Sequence, residues 1–319
     1  MFKICIIGCG DIATRQHGPA IKRYEKLHKD TLFAACCDVD AERAVAFKET
    51  FNLPQYYTNI DEMLEAEQPH TVSINVPVHI TAALACKILA KGFPLISEKP
   101  PGLDSAETLG MIAAAKNAPN FVAFNRRHMP LVEKVMKVIS SDDILDISYR
   151  MLRVNRQDPD FSTTAIHGID LVKYITGADY KQVNFRYREL APPVASFHMS
   201  CEMENGIITN LDFLPMSGVN TERLEINTRK GLFMLRLPIW AGCHDGAGQL
   251  IHFAENIKTR YEVSPAEEYV LGGFYRENEL FFNALRDNEV CNAHLIESGL
   301  QSVEIADCIR KRRSTYEKS

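Results

Sequence analysis

The 319-residue sequence lacks the features that mark membrane, secreted and zinc-binding proteins. No apolar run approaches the length of about 20 residues that is needed to span a bilayer. The strand pattern that begins at Lys3 leaves no room for a signal peptide. The nine cysteines form no Cys-x-x-Cys pair, and neither cysteines nor histidines show zinc-ligand spacing, so we predict no metal site. The net charge of -5 gives no reason to expect nucleic acid or an anionic membrane as a partner. We therefore expect a cytoplasmic protein with reduced cysteines.

A glycine-rich turn follows the first apolar run, and a helix pattern follows that turn. Residues 8–13 read Gly-x-Gly-x-x-Ala, in which Gly8 permits a tight turn, Gly10 lets a pyrophosphate approach the backbone and Ala13 allows close helix–strand packing. The helix N-terminus also offers amide groups and a positive dipole end to phosphates. The alternative is a glycine turn of no special use, but the flanking strand and helix favour dinucleotide binding. The predicted contacts here are Gly8, Gly10, Asp11, Ile12 and Ala13.

An acidic residue, Asp38, ends the second apolar run, Leu32–Asp38. A carboxylate at this strand tip accepts hydrogen bonds from the adenosine ribose and repels a 2′-phosphate. Asp40 is better placed than Asp38 to cap the next helix, so Asp38 is left for the ribose. We therefore favour NAD over NADP, although Arg15 is an arginine that could accommodate the extra phosphate.

The first half of the chain alternates between short apolar runs and helix patterns, which predicts a doubly wound parallel sheet. Ligands bind such sheets beyond the carboxyl ends of the strands. The predicted strand ends carry Gly8, Asp38, Asn75, Glu98 with Lys99, and Asn125. We predict an α/β Rossmann domain over residues 1–126.

The second half is dominated by consecutive strand patterns, with one helix over Ser162–Thr176. Strands without intervening helices predict a large, mostly antiparallel sheet, and Glu204-Asn-Gly206 is a hairpin signal within it. We predict an α+β domain over residues 127–319, whose last helices pack beside its sheet or back on the first domain. A sheet with one face free of helices favours a homodimer or homotetramer formed through that face.

The strand Phe93–Ser97 stops abruptly at Glu98-Lys99-Pro100. Two charged residues directly after a buried strand do not serve a core, and the prolines stiffen the exit. An ordinary charged turn is the alternative, since such turns are common.

Taken together, the Gly8–Ala13 motif, Asp38, Glu98-Lys99-Pro100 and Asn125-Arg-Arg127 resemble the glucose–fructose oxidoreductase, inositol dehydrogenase and MocA-like family, Gfo/Idh/MocA. The resemblance runs through the C-terminal stretch that begins Gly273-Phe-Tyr-Arg. It implies a Rossmann domain, a substrate domain and NAD(P)-dependent hydride transfer at hydroxyl or keto carbons of sugars, cyclitols and sugar derivatives.

The resemblance also assigns roles to residues. Lys99 matches the lysine that lies close to nicotinamide and substrate. His167 matches a histidine at the substrate pocket, and Asp170 is expected to bind substrate or to orient His167. Family dehydrogenases often carry aspartate four residues before this histidine, where this chain has Thr163. The expected catalytic residues are Lys99 and His167. The further expected cofactor contacts are Asn75, Pro77, Glu98, Lys99 and Arg127. The expected substrate contacts are Lys99, Asn125, Arg153, Thr163, His167 and Asp170. For Arg153 the alternative is a solvated position at the end of a strand.

Three functions remain open from the sequence. The first is an NAD(P)-dependent dehydrogenase or reductase of a sugar-like substrate. The second uses the same fold for transient redox, as in glycoside elimination or hydrolysis, or for reduction of a non-sugar carbonyl or imine. The third is a non-enzymatic dinucleotide-sensing protein, which the loss of aspartate at Thr163 favours and the presence of Lys99 and His167 opposes.

Overall fold

The computed structural model divides the chain into two compact units, Met1–Asn125 with Gly273–Val303, and Arg126–Gly272 with Glu304–Ser319. The structure describes residues 1–158, 160–239, 246–261, 263, 266–289 and 294–318. No helix in these ranges has the length and apolar composition that a bilayer crossing requires.

The first unit contains a parallel sheet of six strands in the order β3-β2-β1-β4-β5-β6. Its strands are β1 (Phe2–Ile7), β2 (Thr31–Cys37), β3 (Gln55–Tyr57), β4 (Thr71–Ile74), β5 (Leu95–Glu98) and β6 (Asn120–Ala123). Most residues of β1, β2, β4, β5 and β6 are buried, as in a sheet covered on both faces. The predicted Rossmann sheet is confirmed. The short edge strand β3 is an addition that the apolar pattern does not indicate, because its residues are largely exposed.

Helices connect these strands. They are α1 (Gly18–Leu27), α2 (Ala41–Phe51), α3 (Ile60–Glu67), α4 (Val78–Ala90) and α5 (Ser105–Ala115). A π-helical turn, Ala13–His17, precedes α1. The Asp40 side chain accepts hydrogen bonds from the amides of Glu42 and Arg43, which confirms it as the N-cap of α2.

The second unit contains a sheet of nine strands in the order β14-β13-β12-β11-β7-β10-β9-β8-β15. Its strands are β7 (Ile144–Val154), β8 (Tyr180–Ala191), β9 (Val194–Met203), β10 (Ile208–Ser217), β11 (Thr221–Thr228), β12 (Gly231–Arg236), β13 (Gln249–Ala254), β14 (Ile257–Tyr261) and β15 (Thr315–Glu317). Neighbours pair antiparallel except β7 and β10, which pair parallel. The predicted mostly antiparallel sheet is confirmed.

Helix α7 (Ser162–Thr176) has the bounds that the sequence predicts and ends at Gly177 in the left-handed conformation. It packs on the sheet at Gly168, where an added Cβ would come within 2.2 Å of the Tyr149 ring on β7. The other helices of this unit are α6 (Pro130–Met136) and α8 (Glu268–Leu271).

Residues after Gly273 return to the first unit. Helix α9 (Phe274–Asp287) contributes Phe281 and Phe282, whose rings lie 5.4 Å from Phe121 and 6.1 Å from Phe2. The Tyr24 hydroxyl donates a 2.7 Å hydrogen bond to Asn283. The apolar face of α9 is thus buried against the first sheet, which is one of the two placements that the sequence left open for the last helices of the region 127–319. Helix α10 (Leu300–Arg310) then leads into the second unit.

Candidate active site

The parallel sheet brings the predicted polar residues of the first unit to one edge. Gly8 follows β1, Asp38 follows β2, Asn75 follows β4, and Glu98 ends β5. Backbone hydrogen bonds tie these ends together: the Gly8 amide donates to Cys37 and the Asn75 amide donates to Ile7, both at 2.8 Å.

The turn at Gly8 can be made only by glycine. Its φ is +87°, and an added Cβ would lie 2.3 Å from the Asn75 carbonyl oxygen. Gly10 is different, because no described atom lies within 4 Å of the position that its Cβ would take. This open space above the start of the helix fits a pyrophosphate.

Asn75 adds a second sign that a ligand fits this edge. Its Nδ2 donates to Ser73 Oγ at 3.0 Å, whereas its buried Oδ1 has no hydrogen-bond partner among the described residues. A buried acceptor of this kind is uncommon in a folded protein. Pro77 is exposed and begins α4 as its N-cap.

The Asp38 carboxylate is held beside the glycine turn. One oxygen accepts from the Cys9 amide at 2.8 Å, and the other accepts from the Asp40 amide at 2.9 Å. The exposed Arg15 guanidinium lies 3.7 Å from a carboxylate oxygen of Asp11.

Glu98 is fixed from two sides. Its Oε1 lies 2.8 Å from Nε2 of the buried His17, and its Oε2 accepts a 3.0 Å hydrogen bond from the Lys99 amide. Burial alone would raise the pKa of this carboxyl, but the hydrogen bond from His17 and the positive charge of Lys99 hold the pKa below its ordinary value. Sequence reasoning did not select His17, because its partner lies 81 residues further on.

In the second unit, three polar side chains surround Glu222 on β11. This carboxylate is fully buried and accepts hydrogen bonds from Arg126 at 2.9 and 3.3 Å, from the Tyr149 hydroxyl at 3.0 Å, and from Arg153. Burial would raise the pKa of Glu222, but the two guanidinium groups lower it to about 2. Neither Arg126 nor Glu222 was among the expected catalytic residues, and no local spacing indicates that they meet.

His167 joins this cluster through Arg126, whose Nη1 lies 3.2 Å from the His167 Nε2. A guanidinium has donors and no acceptor, so Nε2 must accept this hydrogen bond. The ring hydrogen of the neutral imidazole is then on Nδ1.

The remaining predicted residues of this unit are engaged in its interior. Arg127 donates to Asp170 through two nitrogens, one of them at 2.8 Å, and both side chains are buried. Arg153 is 1% exposed, rather than a solvated strand end. Thr163 donates to the Asp160 carbonyl at 3.2 Å in the first turn of α7. Asn125 belongs to the first unit, where it is buried shortly after β6.

Across the described ranges, no cluster of three or more histidine, cysteine, aspartate or glutamate side chains is arranged to hold a metal ion.

The six-stranded sheet and its strand-end residues define a Rossmann-type dinucleotide-binding protein. Residues 2–126 match the Gfo/Idh/MocA profile, described as an oxidoreductase family with an NAD-binding Rossmann fold. This match covers the Rossmann part of the chain, and the residues after 126 lie outside it.

Curated relatives are distant. Inositol 2-dehydrogenase from Corynebacterium glutamicum is 22% identical over 228 residues, which cover 66% of this chain and 66% of that protein, just under two thirds. Trans-1,2-dihydrobenzene-1,2-diol dehydrogenase from Mus musculus is 32% identical over 133 residues, 40% of this chain and 37% of that protein.

Solved structures share the fold over nearly the whole chain. A Gfo/Idh/MocA family oxidoreductase from Vibrio cholerae has a TM-score of 0.83 at 18% identity and covers 98% of each chain. Levoglucosan dehydrogenase in complex with NADH and levoglucosan has a TM-score of 0.82 at 18% identity and covers 99% of each chain.

Proposed function

We propose that this protein is an NAD-dependent dehydrogenase or reductase that transfers a hydride between nicotinamide and a hydroxyl or keto carbon of a sugar, cyclitol or sugar derivative. The observation that carries the proposal is the set of groups at one edge of the parallel sheet. There the open space at Gly10, the fixed Asp38 carboxylate and the buried Asn75 Oδ1 lie at the ends of neighbouring strands.

These residues fit a dinucleotide in a defined direction. The amides from Gly10 to Ala13 would hold the pyrophosphate at the helix N-terminus, and Asp38 would accept from the adenosine ribose. Asn75 follows β4 and Glu98 ends β5, and both strands lie on the side of β1 away from β2, where the nicotinamide half would lie. The bound dinucleotide supplies or accepts the hydride. We favour NAD because the Asp38 carboxylate disfavours a 2′-phosphate, and because Arg15 is close to Asp11.

Lys99 is the proposed proton-transferring group. It follows β5 directly, is partly buried and has its backbone amide held by Glu98. A lysine amine can take the proton from a hydroxyl as hydride leaves and return it to the alkoxide in the reverse direction, a contribution of roughly 100- to 10,000-fold.

His167 is the proposed hydrogen-bond donor to the substrate oxygen. Because the Arg126 guanidinium donates to Nε2, the hydrogen of the neutral ring lies on Nδ1, the atom proposed to donate to the substrate. A fixed cation beside the ring also disfavours the imidazolium form. In this proposal His167 polarises the oxygen, and Lys99 carries the proton.

The names of the relatives support the substrate class. They include dehydrogenases of inositol and D-apiose. The mouse relative is instead named for a non-sugar cyclic diol and has the higher identity in its aligned part. A cyclic vicinal diol that is not a sugar is therefore the second candidate substrate class.

The test combines cofactor binding and turnover. NADH and NADPH are titrated by fluorescence, and a panel of inositols, pentoses, hexoses, anhydrosugars and cyclic dihydrodiols is screened by nicotinamide absorbance. The expected result is tighter binding of NADH and turnover of one panel class, with kcat reduced about 100-fold or more in Lys99→Ala. Lys26→Ala, which changes an exposed lysine on α1, is the matched control. Failure to bind either dinucleotide would exclude the proposal.

We also propose that the second sheet mediates a homodimer or homotetramer. One face of the sheet carries a concavity of about 640 Å³, lined in part by His198 and Asp212. This face carries charged side chains, including Arg150, whose Nε lies 3.3 Å from a carboxylate oxygen of Asp212. Such charges suit an interface in which ion pairs fix the alignment of the two subunits. Light scattering after size exclusion tests the state, and a monomer would rule the interface out.

A further inference from the structure

His17 occupies a buried position that the proposed chemistry does not use. It ends the π-helical turn Ala13–His17 and is 1% exposed. Its Nε2 lies 2.8 Å from the Glu98 Oε1, and its ring packs edge-on against Phe274 at 5.3 Å. π-Helical turns are rare and are frequent at functional sites.

Asn278 on α9 sets the protonation pattern of this histidine. Its Nδ2 lies 3.2 Å from His17 Nδ1 and also donates to the Phe274 carbonyl at 2.8 Å. The second bond fixes the amide nitrogen on the histidine side. An amide nitrogen only donates, so His17 Nδ1 must accept, and the ring hydrogen lies on Nε2 and points at Glu98.

This orientation leaves the other end of the Asn278 amide unsatisfied. Its Oδ1 is buried and has no hydrogen-bond partner within the part of the chain that the structure describes. The opposite orientation would pair this oxygen with a protonated Nδ1 and produce an imidazolium beside Glu98. The observed orientation therefore selects the tautomer whose Nε2–H donates to the Glu98 carboxylate.

The connection continues to Lys99, because the second oxygen of Glu98 accepts from the Lys99 amide at 3.0 Å. Hydrogen bonds thus run from Asn278 through His17 and Glu98 to the backbone of the lysine. We propose that His17 and Asn278 are positioning residues that hold the Glu98–Lys99 segment in place for the nicotinamide half of the dinucleotide. This inference rests on the proposed function.

The strand order makes the inference specific to one half of the ligand. Asp38 follows β2 on one side of β1, whereas Glu98 ends β5 on the other side. Loss of the His17 donor removes one support of Glu98 and leaves the Cys9–Asp38 contact intact. Affinity for the nicotinamide half should fall while affinity for the ADP-ribose half is kept.

Fluorescence and calorimetric titrations of NADH and of ADP-ribose with the full chain test this. His17→Leu removes the donor, and His17→Gln keeps an N–H near the Nε2 position. We expect His17→Leu to weaken NADH binding about tenfold, the effect of one lost hydrogen bond. ADP-ribose binding should stay within about threefold of wild type, and His17→Gln should recover most of the NADH affinity. Equal loss of both ligands, or no loss of NADH, would overturn the inference.

The tautomer of His17 gives a second readout that does not depend on the Leu variant folding. Nitrogen NMR of the 15N-histidine-labelled wild-type protein, with the His17 signals assigned from His17→Gln, should show hydrogen on Nε2 only. Hydrogen on Nδ1, or on both nitrogens, at neutral pH would overturn the inference. Wild-type protein that binds ADP-ribose and not NADH, or neither, would instead contradict the proposed function.

Discussion

The Nη1 atom of Arg126 lies 3.2 Å from the Nε2 atom of His167. The same guanidinium donates to both carboxylate oxygens of Glu222. A carboxylate thus lies behind the histidine as in an aspartate-assisted relay, but an arginine stands between them. An aspartate would accept from the ring and favour imidazolium, whereas this arginine donates to the ring and favours the neutral form. The contact supports the proposed role of His167 as a hydrogen-bond donor to the substrate.

The first prediction concerns which ring nitrogen acts. In His167→Asn the amide can present an N–H near the Nδ1 position, and in His167→Gln it can present one near the Nε2 position. Because Nε2 faces Arg126, we expect the Asn variant to retain about tenfold more kcat than the Gln variant on the substrate found by the panel. Higher activity in the Gln variant would contradict a donor role for Nδ1.

The second prediction concerns the stability of the buried cluster. Glu222→Gln removes the negative charge that compensates Arg126 and Arg153, both of which are buried. Breaking such a cluster costs about 3–5 kcal/mol of unfolding free energy, measured by urea unfolding at neutral pH. Glu225→Gln changes an exposed residue of the same strand and should stay within about 0.5 kcal/mol of wild type. Equal effects in the two variants would show that the cluster is not stabilising.

The third prediction is the pH dependence of this contribution. The pKa of Glu222 is lowered from 4.5 to about 2 in the folded protein, so the unfolded chain binds its proton first as pH falls. The stabilisation from Glu222 is therefore complete above the unfolded pKa of 4.5 and is lost as pH falls towards about 2. In Glu222→Gln, unfolding free energy should depend less steeply on pH across this window. An unchanged slope would mean that Glu222 does not titrate in this way.

The fourth prediction separates two glycines of one turn. Gly8→Ala places a Cβ 2.3 Å from the Asn75 oxygen at a φ of +87°, so we expect lost NADH binding together with a lower Tm. In Gly10→Ala the added Cβ meets no described atom within 4 Å, so this variant should fold normally. Because the methyl group would fill the space proposed for the pyrophosphate, the variant should lose NADH binding without a lower Tm. Thermal unfolding and fluorescence titration measure both variants. Normal NADH affinity in Gly10→Ala would contradict the placement of the pyrophosphate beside Gly10.

The fifth prediction concerns the choice between NAD and NADP. Asp38→Asn keeps an acceptor beside the Cys9 amide and removes the charge that repels a 2′-phosphate. We expect the NADPH-to-NADH affinity ratio to rise about tenfold, the effect of about 1.4 kcal/mol. Asp40→Asn, which keeps the cap of α2, is the control and should leave the ratio unchanged. An unaltered NADPH-to-NADH affinity ratio in Asp38→Asn would contradict the assignment of Asp38 to the ribose site.

The sequence alone predicted the strand ends at Gly8, Asp38 and Glu98, and the bounds of α7. These features are local. A short apolar run, a glycine that permits a positive φ and a terminal cap each act over a few neighbouring residues, so the pattern that produces them can be read directly.

Only the tertiary structure decided which polar side chains meet. His17 reaches Glu98 across 81 positions, and Arg126 reaches Glu222 across 96. Asp170, three residues from His167, accepts a hydrogen bond from Arg127. The reason is physical: a buried charge must find a compensating partner, and its nearest partner is set by which strands and helices are neighbours in the folded chain. Residue type and spacing determined the edge of the parallel sheet and its glycine turn. The packing of distant elements determined which partner each buried charge has.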